Sequence, residues 1–319
     1  EWSWAAAQSA IESVDTPKAR EELQRMAMAG QDQALTERIS WIAERSGWPA
    51  PAREYTLFSF TRSLADMAPG TVDPGILRQL AAIRPEVRIP HPDDDRLGMV
   101  LFNIPAAAQG VATEWRRRDA AGMAAHDLAR GAEDWIGAYL AGDSAIHAGY
   151  LSSLDNADDA ALNELAGAVE RRMDANPGLA PVLAHIGIVL ADENRFARAL
   201  GGGPVPDVAQ LARAAGEVFD AGQALRALDT LENTAPVSTT SAVLAEFAPA
   251  LTRNADGTQH LFELVGHQSL GLTAAMALAR HGDAPARLRL AVIASKEADD
   301  ASRHASIALP ASVPERSLP

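Results

Sequence analysis

The sequence predicts an all-α protein, an α-solenoid of antiparallel helical hairpins, and three observations predict it. Roughly a fifth of the 319 residues are alanine and only 5% are aromatic, so area is buried by close approach of thin helices. Alanine also has the highest helix propensity of any residue. Apolar residues return at the helical period between capping and stopping signals along most of the chain. In the last hundred residues, pairs of short helices recur about every 30 residues.

Charge and composition narrow the function classes. There are 42 acidic against 28 basic residues, a net charge of -14, which argues against nucleic-acid binding and against anionic membranes. Nearly all the basic residues are arginine; the lysines are Lys18 and Lys296. The chain has no cysteine, so disulfides, thiolate zinc sites and cysteine nucleophiles are excluded. No apolar run approaches the ~20 residues of a membrane helix, so a soluble chain without membrane insertion is expected. The chain starts at Glu1 without methionine. Together with the acidic, cysteine-free composition, that leans towards an exported bacterial protein of the periplasm, with the cytoplasm as the alternative.

From the N-terminus, Thr16-Pro17 and Asp73-Pro74 each place a capping side chain before a proline suited to the first helical position. Helices are expected near 19–29, 34–46 and 52–67, ended by Gly30, Gly47 and Pro69-Gly70. Leu35, Ile39 and Ile42 form one stripe, and Ile76, Leu77, Leu80 and Ile83 another. Residues 1–84 therefore read as helical hairpins. Residues 85–104 are an irregular excursion: RPEVRIPHPDDD resists helix because each proline restricts its predecessor. A β-hairpin pairing 87–89 with 99–102 fits there.

A central helical region, 105–200, follows, with helices near 105–119, 121–129, 131–141, 157–174 and 181–200. Leu162, Leu165, Ala166, Val169 and Met173 keep the helical period, with Asp155 or Asn156 as cap. GGGPVP at 201–206 is a hinge or linker. Asp207 with Gln210 has capping-box spacing. Helix pairs are then expected at 221–232 with 239–252, 258–266 with 270–281, and 284–295 with 298–309. Their second helices carry Ala250-Leu251, Ala277-Leu278 and Ala308-Leu309 in the same register. The proline-rich residues 311–319 read as an extended tail. The whole is either a series of such parts or one continuous solenoid.

The run LFELVGHQSLGLTAAMALARHGDAPARLRLAVIASKEADDASRHASIAL resembles HEAT-like repeats. It shares an apolar first helix, an alanine-rich second helix and a Gly-Asp link into the next unit. The resemblance covers the C-terminal third within 207–310. It implies a scaffold with a concave binding face and carries over no catalytic residue.

Candidate sites are few. His91, Asp93, Asp94 and Asp95 bring an imidazole and three carboxylates together and are the metal candidates. Their spacing lacks the alternation and glycine of a calcium loop, and an exposed acidic loop or helix cap is the competing reading. Asp143, His147 and Tyr150 fall at i,i+4 and i,i+3 on a helix, a set suited to general acid–base chemistry; they are the catalytic candidates. The His and Tyr of that set loosely resemble the pair used by helical-toroid polysaccharide lyases, whose other motif residues are missing here. Trp115, Trp135 and Tyr139 are either sugar-stacking surfaces or buried anchors. Arg116-Arg117-Arg118 spread around a helix and read as a solvated face. No phosphate loop, dinucleotide fingerprint or HExxH pair is present, and no cofactor is expected. His185, His260, His267, His281 and His304 are scattered and form no metal-ligand pair. The expected function is a repeat scaffold engaging a protein partner. The alternative is a helical-toroid enzyme acting on a polysaccharide.

Overall fold

A computed structural model of the chain describes residues 2–91, 94–202, 205–296 and 299–309. Among them the fold is all-α apart from one two-stranded antiparallel hairpin. The chain forms two compact units, Glu1–Ala124 with Gly142–Ser152, and Ala125–Ala141 with Ser153–Pro319. No helix among the described residues is long and apolar enough to cross a membrane.

The first unit opens with α1 (Trp4–Glu12), α2 (Thr16–Met28) and α3 (Asp32–Ser40). α2 is capped by Asp15, whose side chain accepts from the Lys18 amide; Thr16, the expected cap, is instead the buried first helical residue. α3 runs into a π-helical turn, Trp41–Arg45, and Gly47 takes φ 68°, the left-handed geometry that frees a glycine to end it. α4 (Ala50–Leu64) and α5 (Pro74–Ala81) follow, the latter capped by Asp73 as expected. Leu23, Leu35, Ile39, Ile42, Leu57, Phe60 and Leu80 make one core with Ile104 and Trp115. Trp115 Nε1 donates to the Leu64 carbonyl at 3.0 Å, which satisfies its one polar group inside that core.

The excursion is tied down from α4. Glu54 is buried, and its Oε1 accepts from the amides of Glu86 at 2.6 Å and Val87 at 3.1 Å. Burial pushes its carboxyl above the ordinary 4.5, and the two amides pull the other way. β1 (Arg88–His91) then pairs with β2 (Asp94–Val100), with Arg88 opposite Val100 and Ile89 opposite Met99. Leu101 N donates to Val87 O at 3.0 Å, extending the pairing as expected.

α6 (Ile104–Arg130) is one helix of 27 residues rather than two. Ala120 and Ala124 are both buried, so the stripe runs through Gly122 without a break. α7 (Ala132–Leu140) falls in the second unit and α8 (Ser144–Leu154) largely in the first. Gly149 lets α8 approach α6: a Cβ there would lie 2.7 Å from that of Ala120.

The second unit is a two-layer repeat array. Its helices are α9 (Asp159–Arg172), α10 (Ala180–Val189), α11 (Glu193–Gly201), α12 (Val208–Val218) and α13 (Ala221–Thr234). α14 (Val237–Leu251), α15 (Ala255–Leu264), α16 (Gly271–His281), α17 (Ala284–Ala294) and α18 (Asp300–Ala308) complete it. The even-numbered helices α10 to α18 pack successively on one another, as do α11 and α13 in the odd-numbered layer. The odd-numbered helices α9 to α17 each start at an Asx cap: Asp158, Asp192, Asp220, Asn254 and Asp283. Leu251 and Leu278, in the register read from the sequence, are buried on α14 and α16.

Side chains stitch each odd-numbered helix to the previous one. Arg195 reaches Asn163, Arg226 reaches Glu193, His260 reaches Glu232 and Arg289 reaches Gln259, at separations of 32, 33, 28 and 30 residues. The even-numbered layer has its own links, Arg213 to Glu246 and Ser241 to Thr273. Phe196, Phe219 and Phe247 meet in the core with ring centroids 5.5 to 6.1 Å apart.

Three local expectations are corrected. The helix expected over 181–200 is two, because Ala191 takes φ 51° and Asp192 caps the second. Asp207, also at positive φ, makes no side-chain cap; the capping box is at Asp220 and Gln223. Asp158, not Asp155 or Asn156, caps α9, while Asp155 pairs with His185 at 2.7 Å.

Candidate functional site

The exposed side of the last repeats is apolar where a solvated helix would be polar. α16 buries Ala274, Ala275 and Leu278 and leaves Leu272 and Met276, one turn apart, exposed. α17 repeats the arrangement: Ala286 and Leu290 are buried, while Leu288 is 68% exposed and Val292 51%. α18 leaves Ile307 exposed. These three helices all pack on one another. Single exposed apolar side chains are ordinary, but α16 and α17 each carry a pair of them at i,i+4.

Arg253, Arg280 and His281 lie near the ends of α14 and α16, beside the exposed cap Asp283. The His281 imidazole is pushed below 6.5 by burial first and then by Arg280 and Arg253. The C-terminal ends of α14 and α16 thus place positive charge close together, where the helix dipoles favour it. Sequence reasoning did not single out Leu272, Met276, Leu288, Val292 or Ile307. The signal was present as apolar residues off the alanine-rich stripe, and it is read only once the buried stripe is known.

In the first unit, a cleft of about 560 Å³ is lined by Trp4, Ile11, Val14, Tyr55, Leu101 and Phe102, with Glu12 and Asp15 among its polar lining residues. Trp4 is 63% exposed, the one tryptophan whose ring is largely free of the core. Trp115 and Trp135 are buried, and Trp135 stacks on Tyr139 with planes 9° apart, so both are anchors. Burial pushes the Tyr139 hydroxyl up to about 12.

The catalytic candidates lie along α8 and its cap. Asp143 is the residue before α8; its Oδ1 accepts from the amides of Ala145 and Ile146, and its Oδ2 pairs with Arg116. The Arg116 guanidinium, with the Ile146 amide, holds its carboxyl below the usual 3.8. His147 is half-buried and Tyr150 fully buried on the same helix. Asp143 thus serves as helix cap and ion-pair partner. Arg117 and Arg118 turn to Glu114 and hold its carboxyl down at about 2, so the arginine run is divided among partners. Of the metal candidates, Asp93 lies outside the described residues, as do the side chains of His91, Asp94 and Asp95.

Comparison with known protein families, with curated proteins and with solved structures finds no match to this chain.

Proposed function

We propose that this chain is a HEAT-like repeat scaffold that binds another protein through exposed apolar residues of α16, α17 and α18, and that binding rather than catalysis is its role. The observation that carries the reading is the pair of uncovered i,i+4 stripes, Leu272 with Met276 and Leu288 with Val292, on helices packed together. Repeat arrays of this kind fold by nearest-neighbour contacts, which leaves their outer faces available for partners.

The test is a comparison of the parent with the double variants L272E/M276E and L288E/V292E. A partner is identified by crosslinking, purified and titrated against all three proteins. Loss of a few kcal/mol of binding, about a hundredfold, in either variant with unchanged helical content supports the reading. Equal affinity for all three overturns it.

A further inference from the structure

We propose that Asp229, Glu232 and His260 form a binding site for a divalent transition cation, with Zn²⁺ as the best match, clamping α13 to α15. Each residue offers one ligand atom, and these atoms lie within 4.8 Å of one another. Asp229 and Glu232 stand at i,i+3 on α13, so both carboxylates leave one face of the helix. His260 comes from α15, one repeat on, and is only 17% exposed at its side chain. Its Nε2 is 2.8 Å from Glu232 Oε1 and its Nδ1 is 3.8 Å from Asp229 Oδ1.

The comparison that points to a cation lies within the array itself. At the other odd-layer junctions the reaching side chain is an arginine: Arg195 over Glu170 and Asn163, Arg226 over Glu193, Arg289 over Gln259. Here an imidazole stands in that register and faces two carboxylates of the preceding odd-numbered helix, where Arg226 faces one and Arg289 a neutral amide. Glu263, one turn further along α15, adds a third negative charge to its surroundings. No arginine or lysine among the described residues forms an ion pair with Asp229 or Glu232. A guanidinium would satisfy the junction and close it to metals; an imidazole with two carboxylates leaves an excess of negative charge and a nitrogen donor.

That donor set has a chemical preference. Imidazole nitrogen with carboxylate oxygens suits Zn²⁺ and its neighbours, whereas Ca²⁺ and Mg²⁺ take oxygen donors alone. Zn²⁺ bonds to nitrogen and oxygen run at about 2.0–2.2 Å. The two carboxylates address different ring nitrogens, Glu232 at Nε2 and Asp229 at Nδ1, so holding one ion with all three requires one carboxylate to swing to the other's nitrogen. Three protein ligands leave the fourth position to water.

The experiment is calorimetric titration of Zn²⁺ into the chelator-treated chain, run beside H260A, E232Q and H281A, with Co²⁺ absorption as a second readout. The expected result is one Zn²⁺ per parent chain, binding weakened at least about tenfold in H260A and E232Q, and unchanged binding in H281A. Co²⁺ bound at the site shows the intense visible bands of low-coordinate cobalt, and H260A abolishes them. E232Q preserves side-chain volume and folding should H260A unfold the junction. Absence of Zn²⁺ binding, or binding that H260A and E232Q leave intact, overturns the proposal. So does a preference for Ca²⁺ over Zn²⁺.

Discussion

Arg226 donates from Nε to Glu193 Oε1 at 2.7 Å, and the two residues stand 33 positions apart, one repeat. Glu193 is the buried member of the pair. Burial works against its charge, and Arg226 with nearby hydrogen bonds outweighs it, so the carboxyl sits below the usual 4.5. Arg226→Ala is expected to cost about 1 kcal/mol at neutral pH, since the guanidinium is more than half exposed. A depressed carboxyl stabilises above its unfolded pKa and loses that contribution as pH falls through the folded value. Urea unfolding of parent and variant should therefore differ near neutrality and converge in acid.

His260 has the opposite dependence. Glu232 raises its imidazole above 6.5; burial opposes this, and Asp229 and Glu263 add to the rise. The stabilisation is complete below about pH 6.5 and is lost as pH rises through the folded-state value. In the presence of a chelator, the thermal midpoint of the parent should fall over that range. In His260→Gln it should stay flatter, and identical profiles would remove the imidazole from the account.

Gly257 sits where α15 starts against the end of α14. A Cβ there would meet the Leu251 carbonyl oxygen at 2.5 Å and its Cα at 2.9 Å, both backbone atoms that cannot swing aside. Gly257→Ala is expected to destabilise by about 1–3 kcal/mol through overpacking. Gly266→Ala, with nothing within 4 Å of the added methyl, should be neutral or slightly stabilising. Chemical denaturation of the two variants decides it.

Phe247 packs on both Phe196 and Phe219. Removing its ring leaves a cavity among α11, α12 and α14 that these two aromatics cannot fill. Phe247→Ala is expected to cost about 3–5 kcal/mol, read as a shift in denaturation midpoint.

Much of this architecture is legible in the sequence because periodicity reports which face of a helix is buried. Leu162, Leu165 and Val169 lie on the buried face of α9, and the three Ala-Leu pairs fall in one layer. The 87–89 hairpin pairing is legible too, because prolines exclude helix there. Breaks that rest on a single residue's dihedral are not: Ala191 splits a helix with no glycine or proline to announce it. The choice of cap among Asp155, Asn156 and Asp158 depends on where the first buried side chain falls. The His260 cluster is hidden for a different reason. Its members, Glu232 and His260, stand about one repeat apart, so no local spacing on one helix announces them.

The stitched layer has a consequence for how damage spreads. Each of its polar links joins one odd-numbered helix to the one before, so its contacts are between neighbours. Stability in such an array is close to a sum over neighbouring junctions. A substitution at one junction therefore weakens the repeats on either side of it and leaves the distant ones as they were.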